Sequence, residues 1–474
     1  DQTGMTIYSD YKRYNFRVNS SYKKGIFSLS ENIAITHRDK TPTTAFNISL
    51  PTLPIYDSEG RFFSGGGDYY INPEDGKAQN KIAPLHYTDR YNKVTDIIGA
   101  ITAQLDLWDG LKYKFSFSGN YSNSHNYTHT PEYYTKWNED GTPDQDYGSP
   151  KNSISESRGE EFTYTIDNLL TYNKTFSGHS IDALVGTSWM REYNRNMSLA
   201  TINDLGGTEI TGFSSVDGKI SASDSNAALL SFFARLNYDY KDRYLLSASI
   251  RRDESSKFYK DNRVGYFPSV SAGWNAHQES WFANPVVSKL KIRASYGELG
   301  ANFLSPYNFD TIAYGPIPYT LGGVRYTSGR AAYLKSRELK WETAKTTDIG
   351  LELGFLNNDL TVQVDYFVKK NVDLLAQIDL NLSSGQIFEI NSSREKPYVN
   401  SASVKNTGWE FLVNYRKQLT KDFSIDATLN LSTLKNEVLS LGDNVQPITS
   451  GAMSSSFSDS PSITKPGEAI GSFY

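Results

Sequence analysis

Turns of a few residues alternate along this chain with connections of tens of residues, and nearly every stretch between them carries apolar side chains at every second position. A strand points successive side chains to opposite faces, so each stretch makes a strand with one apolar face. In GAITAQLDLWDGLKYKFSFSGNY, Gly99, Ile101, Ala103, Leu105 and Leu107 share a face, and Trp108, Asp109 and Gly110 turn the chain. Leu111, Tyr113, Phe115, Phe117 and Tyr121 take up that face again, while Thr102, Gln104, Asp106, Lys112, Lys114, Ser116 and Ser118 lie on the other. A sheet rolled into a membrane barrel has this rhythm, with short turns on its inner rim and long loops on its outer one.

Further hairpins follow the rule. Tyr14, Phe16, Val18 and Tyr22 turn at Lys23, Lys24 and Gly25 into Phe27, Leu29, Ile33 and Ile35, with Ser20 and Glu31 breaking the face. Phe162, Tyr164, Ile166, Leu170 and Tyr172 return through Ile181, Ala183, Val185 and Trp189, with Asn168 and Thr187 as exceptions. Leu230, Phe232, Ala234, Leu236, Tyr238 and Tyr240 turn at Lys241, Asp242 and Arg243 into Tyr244, Leu246, Ala248 and Ile250 without exception. Later pairs turn at Asn357, Asn358 and Asp359 and at Thr420, Lys421 and Asp422, and two more strands are expected near 267–274 and 290–296, with irregular ends at Pro268 and Pro285.

The expectation is therefore an all-β protein: an antiparallel transmembrane β-barrel with about fourteen strands on this chain, several of ten or more residues. Ten residues at about 3.3 Å each, tilted by about 40°, rise roughly 25 Å, the height of the apolar band of such a barrel. The connections 37–94, 123–160, 191–227, 253–264, 298–339 and 371–403 would face the cell exterior and the short turns the periplasm. Tyr22, Tyr172, Tyr238, Tyr240, Tyr244, Tyr415 and Phe423 flank the short turns, where an interfacial girdle would lie.

Composition is consistent with this. A mean hydropathy of -0.52 is low for a membrane protein, but a barrel turns only alternate side chains to lipid. No run of about eighteen apolar residues occurs, which excludes a membrane-spanning helix. There is no cysteine, hence no disulfide framework, thiolate metal site or thiol catalysis, and a net charge of -5 gives no sign of nucleic-acid binding.

From residue 230 the sequence becomes specific. The run LLSFFARLNYDYKDRYLLSASIRRDESSKFYKDNRVGYFPSVSAGW, followed by LKIRASYGELG, resembles the SusC/RagA-like family of TonB-dependent outer-membrane transporters. The resemblance is carried by Arg235, Asn237, Tyr238, Tyr240, Arg243, Tyr244, Leu245, Arg252, Asp253, Ser255, Lys257 and Phe258, by Arg263, Gly265, Tyr266, Phe267, Pro268, Ser269, Ser271, Gly273 and Trp274, and by 290–297. LKWETAKTTDIGLELGFLNNDLTVQVDYFVKKNVDLL, VKNTGWEFLVNY and the closing GEAIGSFY are also similar to the family.

The resemblance implies a barrel of about twenty-two strands with an N-terminal plug, energised by TonB and lidded by a SusD-like surface lipoprotein. Its cargo would be an oligosaccharide or a peptide. No plug-like segment or TonB box is found, so residues 1–474 are expected to be the central part of one such barrel domain, lacking plug and C-terminal strands and unable to work alone.

No catalytic, cofactor or metal site is expected. His125 and His129 lie in a non-helical stretch, the acidic stretch 138–146 lacks the alternating oxygen ligands of a calcium loop, and Gly65, Gly66 and Gly67 precede no lysine. Cargo contacts are expected from rings in the long loops, Tyr133, Tyr134 and Trp137 in one and Tyr314, Tyr319 and Tyr326 in another; the alternative is that these rings hold their own loops together. Arg251, Arg252, Asp253 and Glu254 read as a charged rim. Two other functions stay open, a siderophore or cobalamin receptor and a secreted β-rich adhesion protein. A lipid-phase photoprobe is expected to label Leu105, Phe115 and Phe232 and to spare Gln104 and Ser116; the opposite pattern would reverse the faces.

Overall fold

The computed structural model describes residues 2–3, 7–43, 54–66, 77–78, 80–138, 140–202, 219–309, 313–331, 336–377, 398–442, 445–450 and 461–473. Fourteen strands follow in chain order: β1 (Asp10–Lys24), β2 (Phe27–Lys40), β3 (Asp89–Trp108), β4 (Leu111–Thr130), β5 (Ser153–Phe176), β6 (His179–Ile202), β7 (Lys219–Tyr240), β8 (Tyr244–Ser255), β9 (Val264–Asn275), β10 (Val287–Ala301), β11 (Glu342–Phe355), β12 (Leu360–Gln377), β13 (Tyr398–Gln418) and β14 (Ser424–Ser432). Each pairs with the next in a 16-stranded antiparallel sheet, completed by Gln2–Thr3 beside β1 and by Lys435–Ser440 on β13. The expected fourteen strands are present.

Contacts group the chain into two compact units. One comprises Asp1–Ala103, Ser116–Ile166 and Met190–Asn226, the other Gln104–Phe115, Asp167–Trp189 and Ala227–Tyr474. In the first, Phe16 lies opposite Ile35, Val18 opposite Ile33 and Tyr22 opposite Leu29. In the second, Ala234 faces Ile250, Leu236 faces Ala248, Ile349 faces Tyr366 and Val413 faces Leu429. These rows stand open: Phe16 is 60%, Ile250 50%, Ile349 56% and Leu429 66% exposed. Large apolar side chains in register on a face that no core covers suit a hydrocarbon solvent.

The polar exceptions on that face are not scattered. Ser20 and Glu31 are register partners, and the serine hydroxyl donates to the carboxylate at 2.7 Å. In the second unit the Tyr113 hydroxyl donates to Asn168 Oδ1 at 2.8 Å, and Asn168 Nδ2 to Thr187 Oγ1 at 3.4 Å. Each break in the pattern thus supplies a partner for another, as a polar group on an apolar face requires.

The turns use left-handed backbone. Lys241 and Asp242 have φ of 53° and 54°, and Leu356, Asn357 and Asn358 have 54°, 57° and 69°. Tyr240 and Tyr244 face each other across the first of these turns, their rings stacked at 6.5 Å.

Two expectations need correction. The strands run far past ten residues, to 24 in β5 and β6, so β4 takes in His125 and His129 and the long connections are shorter than expected. Beyond the membrane band both faces of a strand meet polar surroundings, and stretches such as SNSHNYTHT lose the alternation while keeping the ladder. Pro268 lies within β9 opposite Ile250, not at an irregular end; the ladder to β10 begins one residue later, at Ser269, so the missing N–H leaves no gap in it. The sheet continues past β14. After Thr433 and Leu434 the chain returns to β13, with Lys435 opposite Thr407.

That interruption depends on Gly408, where an added Cβ would stand 2.1 Å from the Thr433 carbonyl oxygen. The Thr433 N–H donates to Trp409 O at 2.8 Å, and the Trp409 N–H donates to Thr433 Oγ1 at 3.0 Å. Gly408→Val is expected to cost roughly 1–3 kcal/mol by overpacking, read as a lower temperature for the heat-induced mobility shift of the intact protein. New protease cleavage is expected at Lys435.

Candidate functional site

The polar face of the second unit carries a network of charges. Lys289, Lys291 and Arg293 alternate on β10, Asp348 and Glu352 on β11, and Asp365 stands on β12. Glu352 accepts from Lys289 at 2.8 Å and lies 3.5 Å from both Lys291 and Arg293. Arg293 also reaches Asp348 at 3.4 Å and Asp365 at 2.6 Å. The last pair spans a strand, since Gly350 is the register partner of Arg293 on one side and of Asp365 on the other. A Cβ at Gly350 would come within 2.1 Å of the Asp365 carboxylate and 2.7 Å of Arg293 Nε, so the bridge needs glycine there.

Arg293 and Asp348 line a cavity of about 390 Å³ with Asp182, Asn237, Ser247 and Ser271. Asp182 accepts from Arg235 at 3.4 Å and from Asn237 at 3.1 Å, and Ser247 donates to Asn237 Oδ1 at 2.7 Å. Here the face presents charges and amides to water, and the ions of this network are held by one another. Three cations at every second residue of SKLKIRAS were a legible signal of a charged face; their partners were not.

The outer ends of β8 to β11 meet over an aromatic core. Phe258, Phe267, Leu304, Leu339 and Trp341 are all buried, with Phe258 and Phe267 rings 5.2 and 5.4 Å from Trp341. Trp341 Nε1 donates to Arg263 O at 2.9 Å, and Arg263 Nε donates to Phe258 O at 3.1 Å. Residues read as motif in the sequence thus come together as one packed cap. The charged rim lies beside it: Arg251 donates to Asp253 at 2.7 Å and to Ser231 at 2.8 Å, and Arg252 to Glu254 at 3.0 Å.

In the first unit, Tyr133 and Tyr134 pair with Gly148–Ser149. The Tyr133 ring stacks on Tyr87 at 4.7 Å, and burial, with Tyr87 alongside, pushes its phenol up to about 12. Tyr134 donates to Glu132 at 2.8 Å, which raises its pKa. The Arg61 guanidinium lies 4.2 Å over the Trp137 ring. All three rings make contacts within their own unit. In the second unit Tyr314 and Tyr319 lie on the hairpin strand Ala313–Leu321, and Tyr319 is the register partner of Tyr326, which is 44% exposed.

Among the described residues, no group of three His, Cys, Asp or Glu could hold a metal ion. His125 is bonded to Glu156 at 2.8 Å and His129 to Asn152 at 2.9 Å. Asp140 accepts from the Thr142 hydroxyl and N–H at 2.6 and 2.9 Å, which holds its carboxyl below the usual range. Gly65–Gly66 pairs with Lys77–Ala78 as a hairpin, and Gly67 lies outside the described residues.

Residues 8–453 match the family described as TonB dependent receptor-like, beta-barrel. The chain belongs to this family. TonB-dependent receptor P3 of Formosa agariphila is 28% identical over 431 residues, covering 90% of this chain and 40% of the relative. TonB-dependent receptor SusC of Bacteroides thetaiotaomicron is 28% identical over 429 residues, covering 82% and 39%. The chain spans about two fifths of the length of these relatives. The solved RagAB peptide transporter superposes with a TM-score of 0.77 at 18% identity, over 98% of this chain and 50% of that one. The SusC/RagA resemblance read in the sequence therefore holds, and the TonB-dependent receptor barrel places the chain in the outer membrane. No helix among the described residues is long and apolar enough to cross a membrane; the crossing falls to strands.

In the intact receptor, Arg293→Ala is expected to destabilise by about 1–3 kcal/mol, because it leaves carboxylates facing one another. Arg293→Ala with Asp365→Ala should lose less than the sum of the two single changes in urea unfolding. Strict additivity would show that the two side chains are not coupled.

Proposed function

We propose that this chain forms barrel wall of an outer-membrane nutrient importer of the SusC/RagA type, energised by TonB and working with a SusD-like surface lipoprotein to take up oligosaccharides or peptides. The observation that carries the reading is the 28% identity to SusC across 429 residues. The polar face supports it: charges that neutralise one another, as Lys289, Lys291 and Arg293 do against Glu352, Asp348 and Asp365, line a wet passage without trapping a polar cargo at a single strong site.

The chain itself does no chemistry in this reading. Tyr133, Tyr134, Trp137, Tyr314, Tyr319 and Tyr326 are the proposed cargo contacts, since a ring stacks on a sugar face or covers a peptide side chain. Tyr133, Tyr134 and Trp137 are already anchored by Tyr87, Glu132 and Arg61, which would present them as fixed surfaces.

The test is uptake together with association. The intact protein, tagged and drawn from outer membranes, is expected to carry a SusD-like lipoprotein with it. Cells should lose growth on one oligosaccharide or peptide when either the protein or TonB is deleted. Growth unaffected by TonB, or a requirement for the protein in ferric-siderophore uptake alone, would overturn the proposal.

A further inference from the structure

The first unit buries an arginine that has no counter-charge among the described residues. Arg90, near the outer end of β3, is 7% exposed, and its Nε and Nη2 have no hydrogen-bond partner. A guanidinium stays protonated in a protein. An unpaired buried cation is strongly unfavourable. An anion in the adjoining space would balance its charge.

Arg90 lines a cavity of about 530 Å³ with Tyr8, Asp10, His86, Tyr87 and Asp89. The walls are firmly held. Asn80, itself 6% exposed, donates to Ile55 O and Phe63 O at 2.8 Å and accepts from the N–H groups of Ile82 and Ala83 at 2.9 Å, which fixes the start of the short helix Ala83–Tyr87. That helix carries His86, which shares a hydrogen bond of 2.9 Å with the Tyr8 hydroxyl, and Tyr87, clamped between Phe62 at 5.5 Å and Tyr133 at 4.7 Å. Asp10 and Asp89 also border the space, and among the described residues neither forms an ion pair with Arg90. A bare anion would meet repulsion from these two acids. A carboxylate flanked by hydroxyl or N–H donors would satisfy all three side chains, since ionised aspartates only accept.

We infer that this cavity is a subsite for a carboxylate of the cargo, with Arg90 as its counter-charge, Asp10 and Asp89 as acceptors for neighbouring donors, and Tyr8, His86 and Tyr87 as walls. The word cargo rests on the import reading above. Such a carboxylate has two sources, a uronic acid in an oligosaccharide and the C-terminus of a peptide.

Both sources can be tested by calorimetric titration of the intact protein in detergent. The probes are trigalacturonate against its methyl ester, and tetra-alanine against its C-terminal amide. In one of the two pairs the free acid is expected to bind at least about tenfold more tightly than the neutral form. Arg90→Gln should bring that ratio close to one, and Arg90→Lys should keep part of it. No acid preference in either pair overturns the inference without any variant, as does a preference that survives Arg90→Gln in protein with normal heat-modified mobility. A carboxylate preference without TonB-dependent uptake would sink the import reading and leave the subsite. Uptake with no carboxylate preference would do the reverse.

Discussion

Hydrocarbon offers a backbone N–H or C=O nothing to bond, so every peptide group at membrane depth must be satisfied by another peptide group. In this chain the demand is met by strands that each pair with the next in sequence, from β1 to β14. The ladder has little tolerance for gaps. Pro268 sits where pairing to β10 has not yet begun, and the break at Thr433 and Leu434 is bridged by bonds between Thr433 and Trp409. Length follows from the same constraint, because a strand that has crossed the membrane gains by continuing to pair, as β5 and β6 do for 24 residues.

Once the backbone is settled, the two faces of each strand answer to different solvents. On the apolar face a polar side chain is tolerated where a cross-strand neighbour bonds it, which is why Ser20 accompanies Glu31, and Tyr113 and Thr187 accompany Asn168. On the polar face charges are used freely, and in the network of β10 to β12 they are paired, with a reach beyond adjacent strands. Arg293 and Asp365 meet across β11 because Gly350 leaves the space between them open. Neutralised in this way, the wall stays hydrophilic without holding a strong unpaired field.

Much of this was legible beforehand. The hairpins from Tyr14 to Ile35 and from Leu230 to Ile250 appear in the sequence and in the structure with the same faces and turns. The limits of the strands were not, since SNSHNYTHT and SISESRGEEF carry no alternation once neither face meets lipid. The loop rings lie in the connections, but Tyr87 and Arg61, which hold Tyr133 and Trp137, lie far from them in sequence and left no sign. Phe258, Phe267 and Trp341 were legible as marks of a family, and their meeting in one buried cap was not.

The sequence by itself determined the class of structure, because a period of two is a local property of the strand backbone and the contrast of short and long connections needs no knowledge of contacts. Tertiary structure decided which residues meet. Register brings Arg293 to Asp365, loop packing brings Phe258 to Trp341, and the folding of the first unit buries Arg90 beside a cavity with no partner for its Nε and Nη2 among the described residues. These encounters join positions tens of residues apart, and they are set by pairing and by excluded volume rather than by any pattern within a strand.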